Sequence, residues 1–264
     1  MSGSERLALA LSYNGSQYHG WQSQNALVTV QSCLENALSE VADHPVSVIC
    51  AGRTDAGVHA TEQVVHFDTS SHRSSYAWMM GTNRYLPADI SVKWVQEVSS
   101  TFHARYSAFS RTYRYLIINN RSRPGLLSNA ITWHYRPLEA EKMEEAAQDW
   151  IGTHDFSAFR GANCQSKTPI RNLYSLTVKR QGEMLVIEIK ANAFLHHMVR
   201  NMVGVLLEIG AGLRPVSWAK EVLSLLDRTK AGIMAPAEGL YLVKVGYPLE
   251  FGLPETPSGP FFLG

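Results

Sequence analysis

Asp55 is the most conspicuous carboxylate in this chain. It lies in Cys50-Ala51-Gly52-Arg53-Thr54-Asp55-Ala56-Gly57-Val58-His59-Ala60, between the apolar runs Val46-Ser47-Val48-Ile49 and Gln63-Val64-Val65-His66-Phe67. Two glycines, an arginine and a carboxylate fall within six residues. Glycine tolerates backbone angles that other residues resist, so such a loop can hold a side chain at an unusual angle. A carboxylate beside a guanidinium on a loop between core strands suits nucleophilic or acid–base chemistry. It equally suits a polar turn in which Arg53 and Asp55 pair across the bend.

Arg200 is the second candidate. It falls in the apolar run Phe194 to Ile209, amid Met198, Val199, Met202 and Val203. A buried guanidinium needs a carboxylate, and Asp55 is a suitable one; otherwise Arg200 snorkels to the surface. His59, His66, His196 and His197 raise the question of a metal. As neighbours on a helix, His196 and His197 would point roughly 100° apart. Neither has a cysteine or carboxylate at ligand spacing, so no metal site is expected. A glycosidase needs two carboxylates at one site, and only Asp55 is prominent. There is no nucleophile elbow and no phosphate-binding Gly-Lys-Ser/Thr loop.

Cationic and aromatic residues are concentrated in two stretches without acids. Val98 to Leu138 contains Arg105, Arg111, Arg114, Arg121, Arg123 and Arg136, with His103, Tyr106, Phe109, Tyr113, Tyr115, Trp133 and Tyr135 interleaved. Phe156 to Gly182 contains Arg160, Lys167, Arg171, Lys179 and Arg180. Basic side chains neutralise phosphates, and aromatic faces stack on unpaired bases. The alternative is a strand pair with solvated arginines outside and aromatics in the core. In Arg111-Thr112-Tyr113-Arg114-Tyr115 the two-residue period puts Tyr113 and Tyr115 on one face and Arg114 on the other.

These residues need positioning elements. The chain has 264 residues, 45% hydrophobic and 18% charged, with net charge +1. That is a globular composition with ample material for a core, and it offers no global basic field. The first six residues lack a basic region followed by a long apolar run, so no signal peptide is expected. No apolar stretch has the ~20 residues of a membrane span. Cys33, Cys50 and Cys164 are scattered and odd in number, which fits reduced thiols in a cytoplasmic protein. Alternating apolar residues predict strands over 6–13, 46–51, 63–68 and 90–98, and helices over 30–41 and 75–84. Later residues predict strands over 108–118, 174–179, 184–190 and 239–247, and helices over 139–151, 194–209 and 216–226. Apart from the extra helix, each half reads β-α-β-β-α-β, the ferredoxin-like order. The expected class is α+β: two ferredoxin-like halves, antiparallel sheets side by side, with an active-site cleft between them. The halves join near 99–107, giving domains 1–102 and 103–264.

The ordered blocks also resemble a known family, the tRNA pseudouridine synthase A family, over nearly the whole length. The blocks are Gly20-Trp21-Gln22, Gly52 to His59, His103-Ala104-Arg105, Arg111 to Tyr115, Asp155 to Arg160, Ala191 to Asn201, and Ala237 to Leu242. Asn14 departs from the family pattern, which has aspartate there and so puts one local loop contact in question. The resemblance implies conversion of uridine to pseudouridine in the anticodon stem-loop of tRNA, by a cytoplasmic homodimer without metal or organic cofactor. It maps the catalytic aspartate onto Asp55, its arginine partner onto Arg200 and the base-stacking tyrosine onto Tyr113. Arg53 is a candidate for holding the flipped nucleotide, and His103, Arg105, Arg111 and Arg160 for RNA contacts. A non-catalytic RNA-binding protein on the same fold is the alternative.

Overall fold

In a computed structural model, residues 4–260 and 263 are described. The protein is a mixed α+β fold with five α-helices among the described residues. It divides into two compact units, residues 1–109 with 241–264, and residues 110–240.

The first unit contains β1 (Glu5–Tyr13), α1 (Val30–Ala42), β2 (Ile49–Cys50), β3 (His59–Thr69), α2 (Ser75–Tyr85) and β4 (Ile90–Val98). Strand β1 is central and antiparallel to both β3 and β4, with Leu9 opposite Val65 on one side and Val95 on the other. Helix α1 starts at a capping box: Thr29 accepts from the Ser32 amide, and the Ser32 hydroxyl accepts from Thr29. Its buried residues Val30, Leu34, Ala37, Leu38 and Val41 follow the expected helical spacing. The strand expected over 46–51 is confined to Ile49–Cys50. The amides of Val46 and Val48 are instead taken by Ser39 Oγ and Glu35 Oε1 of α1, at 2.9 Å each, which removes them from any ladder.

The second unit contains β5 (Ser110–Asn119), β6 (Thr132–His134), α3 (Ala140–Gln148), β7 (Gly152–Asp155), β8 (Ile170–Gln181), β9 (Met184–Ala191), α4 (Met198–Gly210) and α5 (Trp218–Leu225). Strands β5, β9, β8 and β7 pair antiparallel in that order, and β6 lies parallel to β5. The short strands β6 and β7 were not expected; at three and four residues they carry little periodicity. The helix expected from Phe194 begins at Met198, because His197 adopts a left-handed backbone with φ +64°.

The last strand, β10 (Leu240–Gly246), differs most from the sequence reading. Tyr241 and Leu242 pair in parallel with His59 and Ala60 of β3, so the chain's end returns to the first unit. The units meet at 109/110 and 240/241, whereas the sequence pattern divides the chain at 102/103. Residues 103–109 also stay with the first unit, tied by the Phe109 amide to the Gly246 carbonyl at 3.0 Å and by the Tyr247 hydroxyl to the Ala104 carbonyl at 2.6 Å.

Candidate active site

The Asp55 loop leaves β2 and enters β3, and its side chains alternate in exposure. Arg53 is exposed, Thr54 is buried and Asp55 is half-buried. Thr54 is the anchor: its hydroxyl bonds the Tyr13 hydroxyl at 2.8 Å and its carbonyl accepts the Trp21 amide at 3.0 Å. Asp55 then opens a turn closed by the Val58 amide donating to its carbonyl at 3.1 Å. Gly57, third in that turn, has φ +78°, where a side chain would be strained.

Residues around Gly15 and Gly20 pack directly on this loop. A Cβ at Gly15 would lie 2.0 Å from the Val58 carbonyl oxygen, and one at Gly20 would lie 2.8 Å from that of Thr54. The Gly15 amide donates to His59 Nδ1 at 3.0 Å, and the His59 ring stacks on Tyr241 with centroids 4.6 Å apart. His59 was weighed as a metal ligand; its Nδ1 is instead the acceptor that joins the two loops. Asn14 Oδ1 accepts the Ser16 amide at 3.1 Å.

Sequence reasoning missed Gln63. It is fully buried on β3, and its side-chain amide spans the backbone of Gly52, donating to the carbonyl while Oε1 accepts the Gly52 amide. Alternation gave no signal here, because β3 is buried on both faces along most of its length. A polar residue inside Gln63-Val64-Val65 was the one available cue.

Two cations of the first unit act on the Cys50 sulfur, those of Arg53 and Arg105. Both are exposed. Burial still dominates and pushes the Cys50 thiol up to about 11. His103 organises the turn before β5. Its Nδ1 accepts the amides of Arg105 and Tyr106 at 3.2 Å each, and its ring lies 4.3 Å from that of Tyr106. His66 Nδ1 accepts the Ala104 amide at 3.1 Å. Burial, with the nearby Arg6 and His103, lowers His66 to about 4. Both histidines thus act as neutral acceptors that shape the turn.

In the second unit, Tyr113 lies on β5 opposite Ile189, only 8% exposed, with the Phe194 ring edge-on at 5.0 Å. Tyr113 and Tyr115 share the buried face and Arg114 faces away, pairing with Glu188 at 2.7 Å, as the two-residue period requires. Arg111 is buried and donates to the Asn192 carbonyl at 3.0 Å. Arg160 donates to the carbonyls of Cys164 and Ser166 at 3.0 and 2.8 Å. Both guanidinium groups thus hold loop carbonyls. Arg200, in the first turn of α4, is half-buried. Its Nε donates to the Ala235 carbonyl at 2.8 Å, and its own carbonyl accepts the Ala235 amide at 3.1 Å. His196 and His197 precede the helix body, so their rings lie 3.7 Å apart rather than diverging as they would along a helix.

The arrangement of the first unit is a half-exposed carboxylate on a loop fixed by its backbone, with cations close by. That suits nucleophilic attack or charge stabilisation on a bulky anionic substrate. The model of the tRNA pseudouridine synthase family matches residues 9–107 and 146–248. The chain is similar to the tRNA pseudouridine synthase A of Coxiella burnetii (strain RSA 331 / Henzerling II), 56% identical over 98% of this chain and 99% of that one. It is 57% identical to that of Yersinia pestis over 98% of each chain, and 56% identical to that of Enterobacter sp. (strain 638), covering 98% of this chain and 96% of that one. With identity this high along the whole length, the chain belongs to the tRNA pseudouridine synthase A family.

Proposed function

We propose that the protein converts uridine to pseudouridine in the anticodon stem-loop of tRNA, with Asp55 as the catalytic carboxylate. The observation that carries this reading is the near full-length similarity to tRNA pseudouridine synthase A. It spans the Asp55 loop, whose backbone is held from Tyr13, Trp21, Gln63 and His59. The reading includes two ferredoxin-like halves. The β-α-β-β-α-β order of the first unit supports this, as do β1 between β3 and β4 and β2 on β3.

The reaction breaks the bond between the sugar C1′ and N1 of uracil and forms one from C1′ to C5. The C5 proton leaves and N1 gains one, so nothing is added, lost or oxidised, and the chemistry calls for no cofactor. The target base must leave its stack, at a cost of a few kcal/mol that protein contacts offset. Tyr113 supplies the aromatic face for it. An ionised Asp55 attacks base or sugar, or steers elimination to a glycal. Arg200 is the arginine partner of the carboxylate in this reading. Arg53 and Arg105 meet the RNA backbone, with His103 shaping the turn that carries Arg105, while Arg111 and Arg160 act through the loops they hold. A cytoplasmic homodimer belongs to the same reading.

The test is incubation with unmodified tRNA followed by pseudouridine mapping, for the parent and Asp55→Ala. The expected result is pseudouridine in the anticodon arm with the parent, and none with the variant although it still binds tRNA. Turnover by Asp55→Ala would remove the mechanism. Binding by the parent with no product would leave a non-catalytic RNA-binding protein.

A further inference from the structure

The turn from His103 to Ser107 is held along its whole length, and the side chains it leaves exposed are Arg105 and Tyr106. All five of its amides are taken. Those of Arg105 and Tyr106 donate to His103 Nδ1, that of Ala104 to His66 Nδ1, that of His103 to Ser107 Oγ at 3.0 Å and that of Ser107 to the His103 carbonyl at 2.9 Å. The Tyr247 hydroxyl holds the Ala104 carbonyl, and Arg6 donates to the Phe102 carbonyl at 2.9 Å. On this frame the rings of His66, His103 and Tyr106 follow one another at centroid distances of 4.8 and 4.3 Å. His66 begins the series buried at 3% exposure, and Tyr106 ends it at 75%.

Single exposed aromatics are ordinary. Tyr106 differs in its frame and in its charge. Its backbone is fixed and its side chain has few rotatable bonds, so little freedom is lost when a flat partner lies on the ring. The Arg105 guanidinium lies 5.6 Å from the centre of that ring. Arg105 and Arg53 both act on the Cys50 sulfur, so the turn stands beside the loop that carries Asp55 two residues after Arg53. No acid occurs from Val98 to Leu138. A flat ring with guanidinium groups at its edge fits a partner that is flat and carries anions at its rim, which is a nucleotide. An apolar peptide would leave the guanidinium groups unmatched. A base inside a duplex has both faces covered by its neighbours, so the nucleotide that fits is an unpaired one.

We propose that Tyr106 is a stacking platform for an unpaired RNA base other than the one that reacts, with Arg105 and Arg53 meeting the phosphates beside it. The platform accepts any base, because every base has a π-face. This rests on the RNA substrate proposed above and deepens it: beside the Asp55 loop the protein grips a second nucleotide, and so favours a target uridine that has an unpaired base within reach.

The experiment measures binding of the whole protein to an anticodon stem-loop RNA, and to versions in which an abasic residue is walked through the unpaired loop. Tyr106→Leu is expected to lower affinity ~5-fold or more, as loss of one stacked base does. Tyr106→Phe, which keeps the ring, is expected to stay within ~2-fold of the parent, and both variants should unfold like the parent because the side chain is exposed. At one loop position the abasic residue should cost the parent a similar factor and cost Tyr106→Leu nothing further. A Tyr106→Leu protein that binds like the parent, a Tyr106→Phe protein as weak as Tyr106→Leu, or coupling at no loop position overturns the platform. Pseudouridine formation is read on the same RNAs. A parent that shows the coupling and forms no product defeats the proposed function and leaves the platform standing; a parent that forms product with no coupling defeats the platform alone.

Discussion

The Gln63 amide holds the first limb of the Asp55 loop, because it meets both backbone polar groups of Gly52 three residues before the carboxylate. Gln63→Leu keeps the volume and removes both bonds. Leaving partly buried polar groups unmatched costs about 1–3 kcal/mol, so urea unfolding should report a loss in that range. A catalytic group displaced by ~1 Å can lose up to ~100-fold in rate. Turnover of Gln63→Leu should therefore fall by at least ~10-fold with KM for tRNA little changed. A KM effect alone would show that Gln63 does not act through Asp55. Asp55, Arg53 and the glycines were legible because unusual residue types sit close together in sequence. Gln63, and the acceptor role of His59, were not, because each depends on a backbone group far along the chain. Nothing in the local pattern encodes a Gly15 amide arriving at a histidine 44 positions later.

Elements with a strong period were legible, and elements defined by pairing were not. Helix α1 shows both its apolar stripe and its cap in sequence. The two residues of β2 and the late start of α4 are decided by tertiary bonds and by one left-handed residue. The turn over 103–107 makes a stability prediction. His66 is neutral when folded, with its affinity for a proton lowered to about 4, against ~6.5 in the unfolded chain. Between these values the unfolded state binds the extra proton. The stabilisation is therefore fully present above pH ~6.5 and is lost as pH falls toward 4, by up to about 3 kcal/mol. Denaturant unfolding across that range should show the decline. His66→Phe, which keeps a ring but loses the acceptor for the Ala104 amide, should be less stable at pH 7.5 and flatter with pH; an unchanged slope would place the titration elsewhere. Helix α4 makes the opposite case to helix propensity. Gly204→Ala ought to gain ~1 kcal/mol as a helix former. Its Cβ, however, would lie 1.9 Å from the Ile233 carbonyl oxygen, a backbone atom in the segment that Arg200 grips at Ala235. Forced separation costs about 1–3 kcal/mol or more. Net destabilisation is expected in thermal unfolding; a stabilised variant would contradict the packing.

At the scale of the whole chain, the α+β class was legible and the ownership of the last strand was not. Pattern alone assigns β10 to whichever half precedes it, whereas its ladder with β3 makes the first unit discontinuous in sequence. Charge distribution tells a similar story. The acid-free stretches read as a basic surface, yet the structure divides their cations into two groups. Arg111, Arg160, Arg171 and Arg180 donate to backbone carbonyls and Arg114 pairs with Glu188, so these hold the second unit together. Arg105, Arg121, Arg123, Arg136, Lys167 and Lys179 are exposed. The two groups should respond differently. Each phosphate contact contributes ~0.7–0.9 to the slope of log affinity against log salt. Arg121→Gln with Arg123→Gln should therefore lower the tRNA-binding slope by about 1.5 without altering unfolding. Arg180→Gln removes bonds to the Leu138 carbonyl and Asn119, so it should lower stability by about 1 kcal/mol and leave the slope unchanged. Filter-binding titrations from low to high salt, paired with denaturant unfolding of the same proteins, separate these outcomes. If the double variant keeps the parent slope while Arg180→Gln reduces it, then RNA meets the chain on the cations that bond its own backbone.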